Sequence, residues 1–86
     1  MTSQEIIERT DRILVELFEL EAEELTPEAS LYEELGLDSL DSVDLIVALE
    51  KEFGFKVIRS VDEEKIRAIR LLKDLYGFIE EKNSQG

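Results

Sequence analysis

Apolar residues recur at helical spacing in three separate stretches of this chain and nowhere alternate long enough to build a sheet. Ile6, Ile13, Leu14, Leu17 and Phe18 follow one helical pattern. Leu45, Ile46, Leu49 and Phe53 form a second stripe, and Ile66, Ile69, Leu72, Leu75, Phe78 and Ile79 continue a third. Val57-Ile58 and Val61 are the only hints of strand, and they are too brief to pair. The chain therefore reads as all-α: a small three- to four-helix bundle with a long first connection. At 86 residues it has room for one core, so a single domain over 1–86 is expected. Its ordered part is expected over 3–81, with 82–86 as a frayed tail.

Local signals place the elements. Thr2 with Glu5 fits a capping box, which starts a first helix at Ser3 and carries it to about Glu19. Asp38 is a good N-cap for the second helix, with the Asp41 carboxylate at N3. Phe53 ends that helix and Gly54 is its natural C′ residue. Ser60 with Glu63 resembles another capping box, so a third helix is expected from near Val61. Nothing between Ala68 and Lys73 breaks a helix, so one long helix over 61–81 and two shorter ones are equally good readings. Leu20, Leu25, Leu31, Leu35 and Leu37 punctuate the connection 20–37, which argues that it docks onto the helices; a disordered acidic loop is the alternative. The expected core is Ile6, Leu14, Phe18, Leu45, Ile46, Leu49, Phe53, Ile69, Leu72 and Ile79.

Charge and missing residue types narrow the chemistry. The net charge is -12, from 22 acidic and 10 basic residues. Residues 1–50 hold 15 acids and 2 bases, and residues 51–86 hold 7 acids and 8 bases, so the acidity belongs to the first half. Such an excess repels nucleic acid and anionic lipid and favours basic protein partners. No apolar run is long enough for a membrane span or a signal-peptide core. There is no Cys and no His. A disulfide framework, a thiolate metal site, a Cys nucleophile and a Ser-His-Asp triad are all excluded. No carboxylate sits in an apolar run where burial would make it a general base, so no catalytic residue is expected. Asp38, Asp41 and Asp44 recur every third residue, but an EF-hand needs a twelve-residue loop with alternating ligands and a central Gly. Weak divalent-ion association follows from charge density, and no dedicated metal site is expected.

The second helix carries an additional face. Leu40, Val43 and Val47 follow i, i+3, i+7 beside the core stripe, flanked by Asp41, Asp44 and Glu50. On periodicity alone this is either the edge of the core or a docking surface. Ser39 follows the N-cap in the first turn, where free backbone N–H groups and the positive helix end favour a phosphate. By position it is either an ordinary helix-start serine or a phosphate carrier.

The segment Leu35-Gly36-Leu37-Asp38-Ser39-Leu40-Asp41-Ser42-Val43-Asp44-Leu45, continuing Ala48-Leu49-Glu50-Lys51-Glu52-Phe53, resembles acyl carrier proteins. Leu25-Thr26-Pro27-Glu28-Ala29-Ser30-Leu31 is similar to the family's segment upstream of its motif, and Leu72-Lys73-Asp74-Leu75 with Phe78-Ile79 to its last helix. The resemblance covers about residues 5–81. It implies that Ser39, between Asp38 and Leu40, carries 4′-phosphopantetheine as a phosphodiester, attached by a phosphopantetheinyl transferase. Acyl groups would ride as thioesters, sheltered between the second helix and the third-helix region. Asp41, Val43, Asp44, Val47 and Glu50 would then dock partners with basic surfaces: acyl-ACP synthetase, ketosynthase, reductase or acyltransferase. The implied protein is a cytoplasmic monomer and not an enzyme, serving fatty-acid, lipid or polyketide synthesis. Asp38 favours the acyl over the peptidyl type, and a chain without a fused catalytic domain resembles dissociated synthases. An aminoacyl (D-alanyl-type) carrier and an acidic interaction module that lost the cofactor are the alternatives.

The resemblance has departures. The stretch between Phe53 and the last helix is about four residues longer than in common fatty-acid carriers. Val57-Ile58-Arg59-Ser60-Val61-Asp62 replaces the usual Ile-Pro-Asp entry to the third helix, and Leu71 stands where a Thr normally begins the last. Lys56, Arg59, Lys65, Arg67 and Arg70 make the segment basic. A specialised carrier and a housekeeping carrier with a drifted loop both fit. A partner tuned to a uniformly acidic carrier would meet these cations as like charges. Acyl transfer by a housekeeping fatty-acid synthase should therefore be slow with this protein even when phosphopantetheinylated, and should improve with Arg59→Glu, Arg67→Glu and Arg70→Glu combined. Wild-type transfer equal to that of a conventional carrier would assign the basic segment to a solvated face.

Overall fold

Thr2 Oγ1 accepts the Glu5 N–H at 3.2 Å and Glu5 Oε1 accepts the Thr2 N–H at 3.3 Å, closing a reciprocal cap at the start of the chain. In the computed structural model, which describes residues 2–85 (Arg59 and Gln85 by backbone alone), this cap opens helix α1, Ser3–Phe18. Its buried line is Ile6, Thr10 and Leu14, one residue per turn. Leu17, on the expected apolar pattern, is exposed. Glu19 ends the helix in the left-handed region at φ 54°. Three further helices follow: α2, Ser39–Phe53; α3, Arg59–Ala68; and α4, Leu72–Gln85, with a single 3₁₀ turn at Ala22–Glu24. Helices α1, α2 and α4 pack around one core, and α3 lies against α4. The fold is an all-α bundle.

The long connection is packed, not disordered. Leu31, Leu35 and Leu37 are buried, and Leu20 and Leu25 lie half-buried against the same core. Its backbone also pairs with a distant segment. Leu31 N–H donates to Arg70 O at 2.9 Å, Leu72 N–H to Ala29 O at 2.9 Å and Lys73 N–H to Pro27 O at 3.0 Å. Ser30 and Leu71 form an isolated antiparallel bridge.

This pairing decides between one helix and two over 61–81. Ile69 is extended, at φ -72° and ψ 115°, and the chain breaks between Ala68 and Leu72. Backbone groups that would continue the helix are used by the connection instead, so no Gly or Pro is required. The Asp74 carboxylate accepts the Arg70 and Leu71 N–H groups at 3.2 and 3.1 Å and restarts the chain as α4. Those two donors hold the Asp74 carboxyl below its ordinary range.

Two sequence expectations are corrected at α3 and α4. Helix α3 starts at Arg59, not Val61, with Ile58 as its N-cap. Ser60 is therefore its second residue and Glu63 pairs with Arg67 at 2.9 Å, so the expected Ser60–Glu63 box does not form. Asp62 does the capping: its carboxylate accepts the Ile58 N–H at 2.8 Å. The expected frayed tail is helix through Gln85, and Gly86 lies outside the described residues. Lys82 within it is buried, its Nζ 2.9 Å from Asp62 Oδ2. Lys82 and the Ile58 amide together hold the Asp62 carboxyl below its ordinary range. Separating such a buried pair by removing one partner costs on the order of 3 kcal/mol.

Of the expected core, Ile6, Leu14, Leu45, Leu49, Ile69, Leu72 and Ile79 are buried, while Phe18, Ile46 and Phe53 are half-buried. Phe55 and Phe78 join the core, their rings edge-to-face with centroids 6.4 Å apart. Tyr76 is buried as well; its hydroxyl donates to Asp11, which ties α4 to α1, and burial pushes both groups' pKa values up. Thr10 is fully buried and its Oγ1 has no hydrogen-bond partner among the described residues. Thr10→Val keeps the side-chain shape and removes an unsatisfied hydroxyl, a gain of about 1 kcal/mol. Thermal unfolding should show a higher Tm for the variant; a lower one would mean that the hydroxyl is bonded in solution.

Candidate functional site at the start of α2

Leu35 and Leu37 are buried immediately before α2, and Gly36 between them takes φ 73°, a left-handed turn that favours glycine. Leu37 N–H donates to Leu31 O at 3.0 Å. The chain is thus fixed up to Asp38. There a second reciprocal cap forms: Asp38 Oδ1 accepts the Asp41 N–H at 2.9 Å, and Asp41 Oδ2 accepts the Asp38 N–H at 3.2 Å. Ser42 N–H and Ser42 Oγ both donate to Asp38 O, at 3.0 and 3.1 Å.

Ser39 is the first residue of α2 and is exposed. Among the described residues its Oγ has no hydrogen-bond partner, and the N–H groups of Ser39 and Leu40 have no intrahelical acceptor, as the first turn of any helix requires. Of the six serines, Ser3, Ser30, Ser42 and Ser84 use their hydroxyls in hydrogen bonds to Glu80, Glu33, Asp38 and Glu81 respectively. Among the described residues Ser39 and Ser60 do not. Ser39 Oγ, two undirected N–H groups and the positive helix end fit a phosphodiester on that hydroxyl.

The second face of α2 is outside the core. Leu40, Val43 and Val47 are 75%, 60% and 44% exposed, which excludes the reading as a core edge. Asp44 is exposed on the same helix, and Asp41 is half-buried by its role in the cap. Glu50 is also half-buried and its Oε2 accepts the Val57 N–H at 2.8 Å, so this carboxylate holds the loop after α2. The basic segment is partly neutralised: Lys65 pairs with Glu81 and Arg67 with Glu63. Lys56 and Arg70 are exposed, and neither has an ion-pair partner among the described residues. The Arg59 side chain lies outside them.

Sequence reading missed how small the space beside this site is. A cavity of about 30 Å³ lies between Ser42, Leu45 and Ile46 of α2 and Ile66 and Ile69 on the α3 side, with Tyr32 at its wall. Ser42 is one helical turn from Ser39. Larger hollows of about 360 and 540 Å³ lie against α4 and are lined by no residue of α2. No group of three or more potential metal ligands occurs among the described residues.

Residues 9–61 match the family model described as a phosphopantetheine attachment site. That match spans the start of α2 and most of the acidic half. The chain belongs to the acyl carrier protein family. It is 38% identical over 82 residues to the acyl carrier protein of Thermosynechococcus vestitus, covering 95% of this chain and 96% of that one. It is 39% identical over 80 residues to acyl carrier protein 2 of Ralstonia nicotianae, covering 93% and 94%. The acyl carrier protein of Saccharopolyspora erythraea is 48% identical over 60 residues, 70% of this chain and 63% of that protein. Members of this family are carriers of a covalent phosphopantetheine group and not enzymes. No helix among the described residues is long and apolar enough to cross a membrane.

The cap at Asp38 holds the start of α2 in shape, so its loss should be measurable without any cofactor. Asp38→Ala leaves the Asp41 N–H unpaired and should lower stability by about 1 kcal/mol in urea unfolding, whereas Asp38→Ser, a competent N-cap, should recover most of it. Equal losses in the two variants would show that the cap does not hold α2.

Proposed function

We propose that this protein holds acyl groups on 4′-phosphopantetheine attached to Ser39 and delivers them to enzymes of fatty-acid, lipid or polyketide synthesis. The observation that carries the reading is Ser39 itself: an exposed, unbonded hydroxyl on the first residue of a capped helix, within Asp38-Ser39-Leu40. The bound group supplies a terminal thiol, the soft nucleophile that a chain without Cys lacks, and acyl groups are held there as thioesters.

The chain's own residues have three tasks. Asp38 and Asp41 hold the first turn of α2, so the Ser39 and Leu40 N–H groups face the phosphate without further ordering. Attachment would form the Ser39 Oγ–P bond as the donor's phosphoanhydride P–O bond breaks and its nucleotide part leaves, the Oγ proton passing to a base of the transferase, and it would require no rearrangement of the cap. Asp44, Leu40, Val43 and Val47 present a carboxylate beside a short apolar strip, a surface suited to fast, salt-sensitive encounter with a basic partner and a small apolar contact. The cavity between α2 and α3 is the shelter for the start of the acyl chain, whose exposure to water costs about 0.8 kcal/mol per CH₂. Glu50 positions the 54–58 loop and contributes to docking only through its residual charge. In this reading the protein works as a cytoplasmic monomer.

Coexpression with a broad phosphopantetheinyl transferase should add one phosphopantetheinyl mass to the intact chain, and Ser39→Ala should abolish the addition. Asp44→Lys and Val47→Asp should each slow modification severalfold while changing stability by under about 0.5 kcal/mol, as surface changes do. A modified Ser39→Ala protein would refute the attachment site. Unchanged rates in both α2 variants would move the docking surface elsewhere.

A further inference from the structure

Helix α3 is attached to the bundle in an unusual way. None of its apolar side chains is buried: Val61 and Ala68 are exposed and Ile66 is half-buried. Among its described side chains the buried one is Asp62. The Asp62 Oδ2 atom lies 2.9 Å from Lys82 Nζ and accepts the Ile58 N–H at 2.8 Å. One carboxylate thus caps the start of α3 and fastens it to the last turns of α4. The exposed Lys65–Glu81 pair lies one turn further along. At its other end α3 is held by buried Ile69 and by the Leu31–Arg70 backbone bond. Helix α3 is therefore anchored at one end by the core and at the other by a buried ion pair.

The same helix supplies a wall of the cavity beside Ser42. At about 30 Å³ that cavity has room for roughly one water molecule. A chain of more than a few carbons needs this space to widen, and α3, which supplies its wall at Ile66, is fastened to α4 by Asp62–Lys82, so widening that shifts α3 along α4 works against the pair. A buried ion pair resists such displacement, because each charge left without its partner is desolvated and uncompensated. Apolar packing would yield more gradually.

We propose that the buried Asp62–Lys82 pair sets the length of acyl chain this protein shelters and holds it to short acyl groups. This rests on the reading of the α2–α3 cavity as the shelter. Asp62 and Lys82 are positioning residues, acting on the chain through α3.

The test loads the phosphopantetheinylated protein with butanoyl, octanoyl or dodecanoyl groups and follows thioester cleavage by hydroxylamine. In the wild type, octanoyl and dodecanoyl thioesters should be cleaved at least as fast as butanoyl. Asp62→Asn keeps an acceptor for the Ile58 amide and removes the charge; Lys82→Met removes the pair from the other side. Either should slow cleavage of the two longer thioesters severalfold and leave butanoyl unchanged, whereas general loosening would speed cleavage at every length. Lys82→Arg should restore the wild-type profile. In the unloaded protein, Asp62→Asn should speed amide hydrogen exchange in α3 by a larger factor than in α1, where only the loss of global stability acts. Strong protection of dodecanoyl by the wild type overturns the proposal whether or not the variants fold, and so does a length profile shared by wild type and folded variants. Failure of the carrier reading is distinct: the transferase would add no group, and the α3 exchange result would stand by itself.

Discussion

The backbone pairing of residues 27–31 with residues 70–73 is the constraint on which the rest of this structure depends. It joins two segments that are far apart in sequence and neither of which is a strand. On one side it fixes the long connection, so that Leu31, Leu35 and Leu37 are delivered to the core and the chain reaches Asp38 in a defined direction. On the other it ends α3 and begins α4, using amides and carbonyls that would otherwise continue one helix. The start of α2, the separation of α3 from α4 and the cavity between α2 and α3 all follow from that one set of bonds. Hydrogen bonds of this kind are each worth only about 1 kcal/mol net, but the alternative is to leave the same buried groups unpaired, which costs more.

Around this frame the protein divides its charge by purpose. The carboxylates of Asp38, Asp41, Asp62 and Asp74 accept backbone N–H groups at or near helix starts, and Glu50 accepts one in the loop after α2. Those acids shape the chain. Asp44 is exposed beside Leu40, Val43 and Val47 and has no such task. An acidic composition that looks uniform in the sequence is therefore partly internal scaffolding and partly exposed surface, which the proposed function assigns to partners. The basic segment is divided in the same manner: Lys65 and Arg67 are spent on local ion pairs, while Lys56 and Arg70 are left to the surface.

The parts legible in the sequence are those governed by neighbours in the chain. The caps at Thr2 and Asp38 and the left-handed Gly54 after α2 depend on spacings of a few residues, and each appears as read, whereas spacing left the Leu40, Val43 and Val47 strip open between core edge and surface. What stayed open or was misread lies where a distant segment intervenes. Nothing between Ala68 and Lys73 announces a break, because the break is imposed by Ala29 and Leu31; only Asp74, three residues after Leu71, hints at a helix start. Ser60 and Glu63 carry a good local capping pattern, yet Asp62 takes the position because Lys82 neutralises it there. The same ion pair gives the expected tail a reason to stay helical. Ser39 is legible as a helix-start serine, but position alone does not separate it from Ser60, which also lies in the first turn of a helix and whose hydroxyl has no partner among the described residues. The family match over residues 9–61 covers both serines, so the assignment to Ser39 rests on the Asp38-Ser39-Leu40 motif and is part of the proposed function.

The central claim is that Ser39, and not another serine at a helix start, carries the prosthetic group on a first turn already shaped to receive it. Fragmentation mass spectrometry of the modified chain, read together with its amide NMR spectrum, tests this directly. The account predicts fragments that place the whole added mass on Ser39, with the largest amide shifts at Ser39 and Leu40 and the Asp38 and Asp41 amides still protected by their cap. Mass on Ser60 or Ser42, or loss of protection at Asp41 on modification, would contradict it.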